Sequence, residues 1–276
     1  MAHATSVRRR TYELTTWRVP GPVEPIPTLL YHRPDLPGPK PAVLYYHGVT
    51  GSKETHVSLH LIRSLTDSGF VVSLPDAPGH GERPASATLI ERLGESLPHE
   101  FCADIEQTGK EAPTLIKWLG ERPEVDSGRL GVLGVSMGGY TAAVVAAQER
   151  DKLGACVCIA GCANLAQCMA TTDGIAPGEF GPLDRSLDAE TQDRIARIDP
   201  RGHLERYAPL PLLLVHGKKD TWNPCATSQQ FAAALEPYYA ATPDRLRLVL
   251  VPDAPHWPLS REMVEEAIGW LRRFVP

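Results

Sequence analysis

The sequence predicts an α/β fold, a mostly parallel sheet of eight strands with helices on both of its faces. Short apolar runs that favour β-strands alternate with helical patterns through most of the 276 residues. Hydrophobic residues make up 42% and charged residues 22% of the chain, an ordinary globular composition that argues against disorder. Without an internal repeat or a low-complexity segment, we expect a single domain over residues 1–276.

The predicted strands follow one another in a simple order. The first two are separated by a Pro-Gly-Pro turn signal, which suggests an antiparallel start to the sheet. The run Ala42-Val-Leu-Tyr-Tyr46 is continuously apolar, as expected of a central strand that is buried on both faces. The eight runs cover residues 11–19, 27–32, 42–46, 70–74, 130–134, 155–160, 212–216 and 246–251.

Helical spacing of apolar residues fills the intervals between these runs. Val57, Leu61 and Leu65 repeat at that spacing, and the apolar residues within 105–119 form one stripe. A helix over 138–148 follows directly on the fifth strand. The last helix carries its apolar residues between positions 264 and 274, and Ser260 is its candidate N-cap.

The stretch from about residue 162 to residue 210 breaks this alternation. It contains short helical patterns but no run that resembles a strand. An insertion of this length between two central strands is too long for a simple connection. We therefore predict a small helical cap over one end of the sheet.

The strongest chemical signal is the run Gly134-Val-Ser136-Met-Gly138, a G-x-S-x-G pattern between a predicted strand and a predicted helix. In that context the serine occupies a tight, strained turn, and the small residues two before and two after it let the chain fold so sharply. A serine hydroxyl is a weak nucleophile and needs a base within hydrogen-bond reach. Ser136 is therefore the candidate nucleophile.

His256 and Asp220 are the candidates to activate that serine. The chain order Ser…Asp…His places the base after the last strand, where His256 is the only histidine beyond His216. Asp220 follows the preceding strand, and its carboxylate would fix the tautomer of the imidazole and stabilise the imidazolium. Asp76 and Asp173 stay open as the orienting group, and Asp253 could be a loop cap near His256.

Two backbone amides are predicted to hold the oxyanion. Met137, the residue after the nucleophile, supplies one of them. The second should come from the loop after the strand that ends at His47, where Gly48 lets the backbone bend toward the site. Val49 is the first choice in that loop and Thr50 the second. We interpret His47 itself as a structural residue that bonds loop backbone.

Several motifs together carry a family resemblance that spans nearly the whole chain. They read YHGVTGSK at 46–53, DAPGHGER at 76–83, VDSGRLGVLGVSMGG at 125–139 and HGKKD at 216–220, followed by the final histidine. On these motifs the chain resembles α/β-hydrolases, above all small bacterial carboxylesterases and the dienelactone-hydrolase-like and prolyl-oligopeptidase-like group. The resemblance implies the α/β-hydrolase fold, a carboxylesterase-type serine hydrolase, and structural roles for His80 and Arg83. Dienelactone hydrolases use a cysteine nucleophile, so the serine at position 136 argues against that reaction.

The expected reaction is two-step acyl transfer from small or short- to medium-chain esters to water, through an acyl-enzyme on Ser136. A small ester is favoured over a peptide because no propeller or other gating domain accompanies the catalytic domain. Amidase, aminopeptidase-like and thioesterase activities use the same machinery and stay open, as does the less favoured alternative of a non-enzymatic ligand-binding protein. Candidates to line an apolar substrate pocket, or equally to pack the cap, are Met169, Phe180, Trp222 and Trp257.

The bulk properties set limits on partners and location. The net charge of −5 gives no electrostatic reason to expect nucleic acid or an anionic membrane as partner. Since no stretch reaches the roughly 20 apolar residues of a membrane span, and residues 1–10 lack the apolar core of a secretory signal, we expect a cytoplasmic location. We expect the six cysteines to be buried free thiols, because they lack zinc-site spacing. No metal or organic cofactor is implied; the expected partner is a small-molecule ester, and a homodimer would be unsurprising.

Overall fold

The centre of the molecule is a sheet of eight strands, seen in a computed structural model that describes residues 11–57, 59–83, 88–171 and 186–276. The strands are β1 (Glu13–Val19), β2 (Ile26–His32), β3 (Lys40–Tyr46), β4 (Val71–Pro75), β5 (Val125–Val135), β6 (Ala155–Ile159), β7 (Leu212–Gly217) and β8 (Leu246–Val251). They lie in the order β1-β2-β4-β3-β5-β6-β7-β8. β2 runs antiparallel to β1 and β4, and every pairing from β4 to β8 is parallel. The predicted sheet is therefore confirmed, including its antiparallel start.

Helices cover both faces of this sheet, as predicted. They are α1 (Lys53–Val57), α2 (His60–Asp67), α3 (Leu89–Gly120), α4 (Met137–Glu149), α5 (Leu165–Thr171), α6 (Ala189–Ile198), α7 (Cys225–Leu235) and α8 (Arg261–Phe274). Short 3₁₀ turns lie at Arg150–Lys152, Pro200–Arg206, Glu236–Tyr239 and Pro243–Arg245. Among the described residues, no helix combines the length and the apolarity that crossing a bilayer requires.

The central strands are mostly apolar because both of their faces are covered. Successive side chains of a strand point to opposite faces, so Val132 packs in the layer formed with α3, α4 and α7, whereas Leu133 packs in the layer formed with α2 and α8. Leu115 and Phe231 contribute to the first layer, and Leu271 to the second. This arrangement explains why continuous apolar runs predicted these strands correctly.

Two helix ends show how local signals set the boundaries. α3 begins well before the predicted stripe because Thr88 forms a capping box, in which the Glu91 amide donates to the Thr88 hydroxyl at 3.3 Å and the Thr88 amide donates to the Glu91 carboxylate at 2.8 Å. The helix is interrupted at Ser96, two residues before Pro98, which has no amide proton for the helical ladder. Ser260 caps α8 as predicted, because its hydroxyl accepts from the Met263 amide at 3.3 Å.

The described part of the predicted cap is helical. Between positions 162 and 210 the structure describes α5, α6 and the 3₁₀ turn Pro200–Arg206, whereas residues 172–185 lie outside the described ranges. Ile195 and Ile198 of α6 are buried in one cluster with Phe101 and Ile105 of α3. The described portion thus packs against α3, and a cap over the sheet end stays a prediction.

The parallel strands bring the candidate functional residues to one place. The carboxyl ends of parallel strands meet at the same edge of a sheet, where loops can combine side chains from distant parts of the chain. His47 follows β3, Ser136 follows β5, Asp220 lies just beyond β7 and His256 just beyond β8. The site is built at this edge.

Candidate active site

Ser136 occupies the turn between β5 and α4. Its backbone has φ 57° and ψ −121°, a conformation that residues other than glycine rarely adopt. A Cβ atom at Gly134 would overlap the carbonyl oxygen of Gly138, and one at Gly138 would overlap that of Tyr46. Glycine at both positions therefore allows the turn, which holds the serine at the end of the strand.

Ser136, His256 and Asp220 form a continuous hydrogen-bonded chain. The Ser136 hydroxyl donates to Nε2 of His256 at 3.0 Å, and Nδ1 of His256 donates to Oδ2 of Asp220 at 2.8 Å. Ser136 is 8% exposed and His256 is 6% exposed, whereas the Asp220 side chain is fully buried. The structure thus brings together the three residues that the sequence singled out.

Four donors converge on the Asp220 carboxylate. Oδ1 accepts from the backbone amides of Trp222 and Asn223, each at 2.8 Å. Oδ2 accepts from His256 and also from Nε2 of His216, at 3.1 Å. Burial alone would raise the pKa of this carboxyl, but the hydrogen bonds from His216 and His256 outweigh burial and lower the pKa to about 2. The carboxylate is therefore ionised throughout the neutral range.

His216 is a functional residue that sequence reasoning treated only as a motif position. Its Nδ1 accepts from the Ser228 hydroxyl at 2.7 Å, and its Nε2 faces both the Asp220 carboxylate and, at 2.9 Å, the Asn223 carbonyl. Because Nε2 faces two acceptors, it carries the proton of a neutral ring. The Cys162 thiol lies 3.2 Å from the Ser228 hydroxyl and extends the chain further. Its position in the sequence could have indicated this contact, since His216 ends the strand that precedes the candidate acid.

The loop after β3 approaches the nucleophile and is held from two sides. A Cβ atom at Gly48 would lie 3.5 Å from Cβ of Ser136. His80 donates from Nε2 to the Val49 carbonyl at 2.6 Å, and the Ala77 amide donates to Nε2 of His47 at 3.0 Å. His47 and His80 therefore bond loop backbone, which matches the structural roles predicted for them.

The two residues predicted to hold the oxyanion both border Ser136. Val49 lines the same cavity as Ser136. Met137 is the first residue of α4, so its amide has no acceptor in a preceding helical turn. Thr50, the second choice, also lines the cavity.

The cavity beside Ser136 has a volume of about 520 Å³ and an aromatic wall. Trp222 stacks on the His256 ring, with centroids 4.8 Å apart and an angle of 15° between the planes. Trp257 is 47% exposed and borders the cavity together with His56, whose role the sequence did not reveal. The described lining contains no Asp, Glu, Lys or Arg side chain.

The other two pocket candidates lie elsewhere. Met169 is 1% exposed and is buried in a cluster with Phe101, Tyr140 and Leu165. It is not among the described residues that border the cavity, so the structure gives it the packing role that the sequence left open. Phe180 lies outside the described residues.

The rival acids are accounted for by other contacts where the structure describes them. Asp76 is buried and accepts from Nζ of Lys53 at 2.8 Å. Asp253 is exposed and forms an ion pair with Lys219 at 2.7 Å. Asp173 lies outside the described residues. Of the described acids, Asp220 is the one that contacts His256.

The six cysteines are free thiols, and all except Cys225 are buried, as expected. Burial raises the pKa of Cys102 to about 12, which keeps this thiol protonated. The buried thiols act as small apolar side chains. Within the described ranges, no three His, Cys, Asp or Glu side chains are grouped as a metal site would require.

Comparison with known proteins places this site in a family context. A sequence model of the prolyl oligopeptidase family matches residues 55–274. The chain is 28% identical to YitV of Bacillus subtilis, a provisionally named esterase, over 85% of this chain and 89% of that one. It is 30% identical to the esterase YjfP of Escherichia coli, over 71% and 75% of the two chains. A puromycin-hydrolysing peptidase of Mycobacterium tuberculosis shares the fold, with a TM-score of 0.70 and 21% identity over 95% of this chain and 39% of that one.

Proposed function

The chain belongs to the prolyl oligopeptidase family of α/β-hydrolases, and we propose that this serine hydrolase is a carboxylesterase acting on small esters. The observation that carries the proposal is the hydrogen-bonded chain from Ser136 through His256 to Asp220 at the wall of a cavity. Two relatives that carry the word esterase in their names match this chain over most of their length, which supports the substrate class.

The geometry supports a two-step acyl transfer. The Ser136 hydroxyl attacks the ester carbonyl while Nε2 of His256, 3.0 Å away, accepts its proton. The ionised Asp220 stabilises the imidazolium that forms. His256 then protonates the leaving alcohol, and a water molecule, deprotonated by the same nitrogen, releases the acid from the acyl-enzyme.

The negative charge on the carbonyl oxygen needs donors that are already in place. We assign this role to the backbone amides of Met137 and Val49. Loss of one such donor typically costs about 3 kcal/mol in the transition state. Nδ1 of His47 donates to the Gly48 carbonyl at 2.9 Å and so fixes the peptide that carries the Val49 amide, and the N-terminus of α4 adds a favourable partial charge.

The cavity favours an ester over the substrate of an aminopeptidase. A peptide with a free amino terminus brings an ammonium group, which a binding site normally meets with a carboxylate. The described lining of the cavity has no charged side chain to fill that role. A small ester needs apolar contacts, which the lining of the cavity offers, and the oxyanion donors that we assign to Met137 and Val49.

The test is hydrolysis of p-nitrophenyl esters from acetate to decanoate, compared with the matching p-nitroanilides and with labelling by a fluorophosphonate. We expect ester turnover and labelling in the wild type. Ser136→Ala should lose both, with kcat falling by more than about 10³-fold. Ser127→Ala, a change at an exposed serine of β5, serves as the matched control and should leave both unchanged.

Other outcomes would revise the proposal in defined ways. Labelling of Ser136 with turnover of anilides but not esters would make the protein an amidase. Full activity of Ser136→Ala would remove the nucleophile assignment altogether.

A further inference from the structure

His56 lies on the wall of the cavity and has one nitrogen without a protein partner. It is 9% exposed and borders the cavity with Leu59 and Trp257. Its Nδ1 is 2.6 Å from the Tyr45 hydroxyl, but among the described residues no acceptor lies within hydrogen-bond distance of Nε2. The Nε2 atom is not among the fully buried polar atoms without a partner, so it keeps some accessible surface.

Tyr45 determines which nitrogen of His56 carries the proton. Tyr45 is fully buried, and burial raises the pKa of its hydroxyl, so the hydroxyl keeps its proton and donates it to Nδ1. Burial also lowers the pKa of His56 to about 4, so the ring is neutral near pH 7. The single N–H of the neutral ring must therefore be on Nε2.

Gly51 leaves room for that nitrogen. A Cβ atom at position 51 would overlap Nε2 of His56, and Gly51 itself lines the cavity. A donor without a protein acceptor loses its hydrogen bond to water when a substrate fills the cavity, which costs free energy unless the substrate accepts its proton. His56 therefore offers the cavity a fixed donor for a neutral acceptor.

The surroundings of His56 define the rest of the ligand. The centroid of its ring is 6.3 Å from that of Trp257, which is 47% exposed and presents a large flat surface. Leu59 and Val135 add apolar lining, and no charged side chain is present in the described part of the wall. A flat body fits such a wall, whereas a charged group would be desolvated without a counter-ion.

We propose that His56 determines specificity by donating from Nε2 to the substrate, and that the substrates are uncharged esters with a flat body bearing a hydrogen-bond acceptor. This inference rests on the proposed function, because it assigns a substrate class to the same site. The acceptor is a ring nitrogen or a carbonyl or ether oxygen. Tyr45 acts as the positioning residue that holds the proton on the correct nitrogen.

The test compares esters that differ by one acceptor. On the acyl side these are p-nitrophenyl benzoate, nicotinate and isonicotinate; on the alcohol side they are phenyl acetate and pyridin-3-yl acetate. For each series, kcat/KM of the acceptor-bearing ester is divided by that of the parent ester. The ratio of wild type to variant then cancels the intrinsic reactivity of the esters and the active fraction of each preparation.

We expect the preference for the acceptor in at least one series to fall about threefold to tenfold in His56→Phe, the effect of one neutral hydrogen bond. In Tyr45→Phe no hydroxyl fixes which nitrogen of His56 carries the proton, so the preference for the acceptor should fall by a smaller factor in the same series. His60→Phe, the same change at an exposed histidine of α2, should give none. If His56→Phe yields no active protein, the ratios of Tyr45→Phe are compared with those of the wild type instead.

Unchanged ratios in both series would overturn the role of His56 while leaving the esterase intact. A preference for the anionic mono-p-nitrophenyl terephthalate over the benzoate would overturn the assignment of uncharged substrates. Absence of both labelling and ester turnover in the wild type would instead contradict the proposed function, so the two failures are distinguishable.

Discussion

At the scale of single residues, the unusual feature of the site is a carboxylate oxygen shared by two imidazoles. Oδ2 of Asp220 accepts from Nδ1 of His256 at 2.8 Å and from Nε2 of His216 at 3.1 Å. Hydrogen bonds to an ionised carboxylate are stronger than neutral ones, so His216 both holds Asp220 in place and stabilises its charge. The acid that orients the base is thus itself oriented by a second histidine.

We predict that His216→Leu lowers kcat about tenfold with little change in KM, because the displaced carboxylate no longer holds His256 in line with Ser136. His216→Gln, which keeps an N–H near the position of Nε2, should retain most of the activity. Steady-state kinetics on one ester measures the effect, and urea denaturation separates it from unfolding. Equal kcat in the leucine variant and the wild type would show that His216 has no positioning role.

At the scale of elements, a buried ion cluster ties the loop after β3 to the loop after β4. Nζ of Lys53, whose side chain is fully buried, lies 2.8 Å from Asp76 and 2.7 Å from Glu82. Burial alone would lower the pKa of Lys53, but the hydrogen bonds that its ammonium donates to Asp76, Glu54 and Glu82 raise it above its usual value. The amides of Lys53 and Glu82 also donate to Asp76, at 2.8 and 3.0 Å. Asp76 therefore fixes the end of the segment that carries Val49.

Removal of Asp76 should show how much this ion cluster contributes to the free energy of unfolding. We predict that Asp76→Ala lowers the free energy of unfolding by about 3–5 kcal/mol, because it leaves a buried lysine without its main partner. The double variant Lys53→Met, Asp76→Leu should cost less than the sum of the two single changes. Urea denaturation gives these values.

Glu82→Gln provides the control for that experiment. Glu82 is 38% exposed, and a partner of this kind typically contributes less than about 1 kcal/mol. Additive effects of the two buried changes would contradict the view that Lys53 and Asp76 act as a unit.

At the scale of the whole molecule, buried titratable groups link stability to pH. Burial lowers the pKa of His56 to about 4 and that of His47 well below its usual value. In the unfolded chain both imidazoles would titrate at about 6.5. Below that pH the unfolded state binds more protons than the folded state, so the free energy of unfolding decreases as the pH is lowered. Asp104 has the opposite effect on stability, because burial raises the pKa of its carboxyl to about 6. As the pH falls below 6 the folded state takes up a proton here, and the free energy of unfolding increases.

We predict that the free energy of unfolding falls between pH 7 and pH 5, with His56 accounting for about 2 kcal/mol of the fall. His56→Phe should reduce the fall by that amount, whereas Asp104→Asn should make it steeper. Urea denaturation at the two pH values measures both effects. The exposed His60→Phe should follow the wild type; a fall in His56→Phe as large as in the wild type would show that this ring is not buried in its neutral form.

Much of the fold and part of the site could be predicted because their signals are local. Short runs of β-favouring residues identified all eight strands, and the continuously apolar run at 42–46 marks a central strand that is buried on both faces. The turn at Ser136 depends on glycines only two residues away, so the local sequence pattern was enough to predict its geometry. The start of α3 was missed because it depends on the Thr88 cap rather than on an apolar stripe.

The sequence by itself determined the order of strands and helices, the strained serine turn, and the residues that follow the strand ends. The tertiary structure decided that Asp220 is the described candidate acid that contacts His256, that His216 supports Asp220, and that Lys53 is buried. It also placed the Tyr45 hydroxyl 2.6 Å from Nδ1 of His56, 11 positions away in the chain. The physical reason is that burial and hydrogen-bond partners of polar side chains arise from residues distant in the chain, and no local pattern of residue types specifies them.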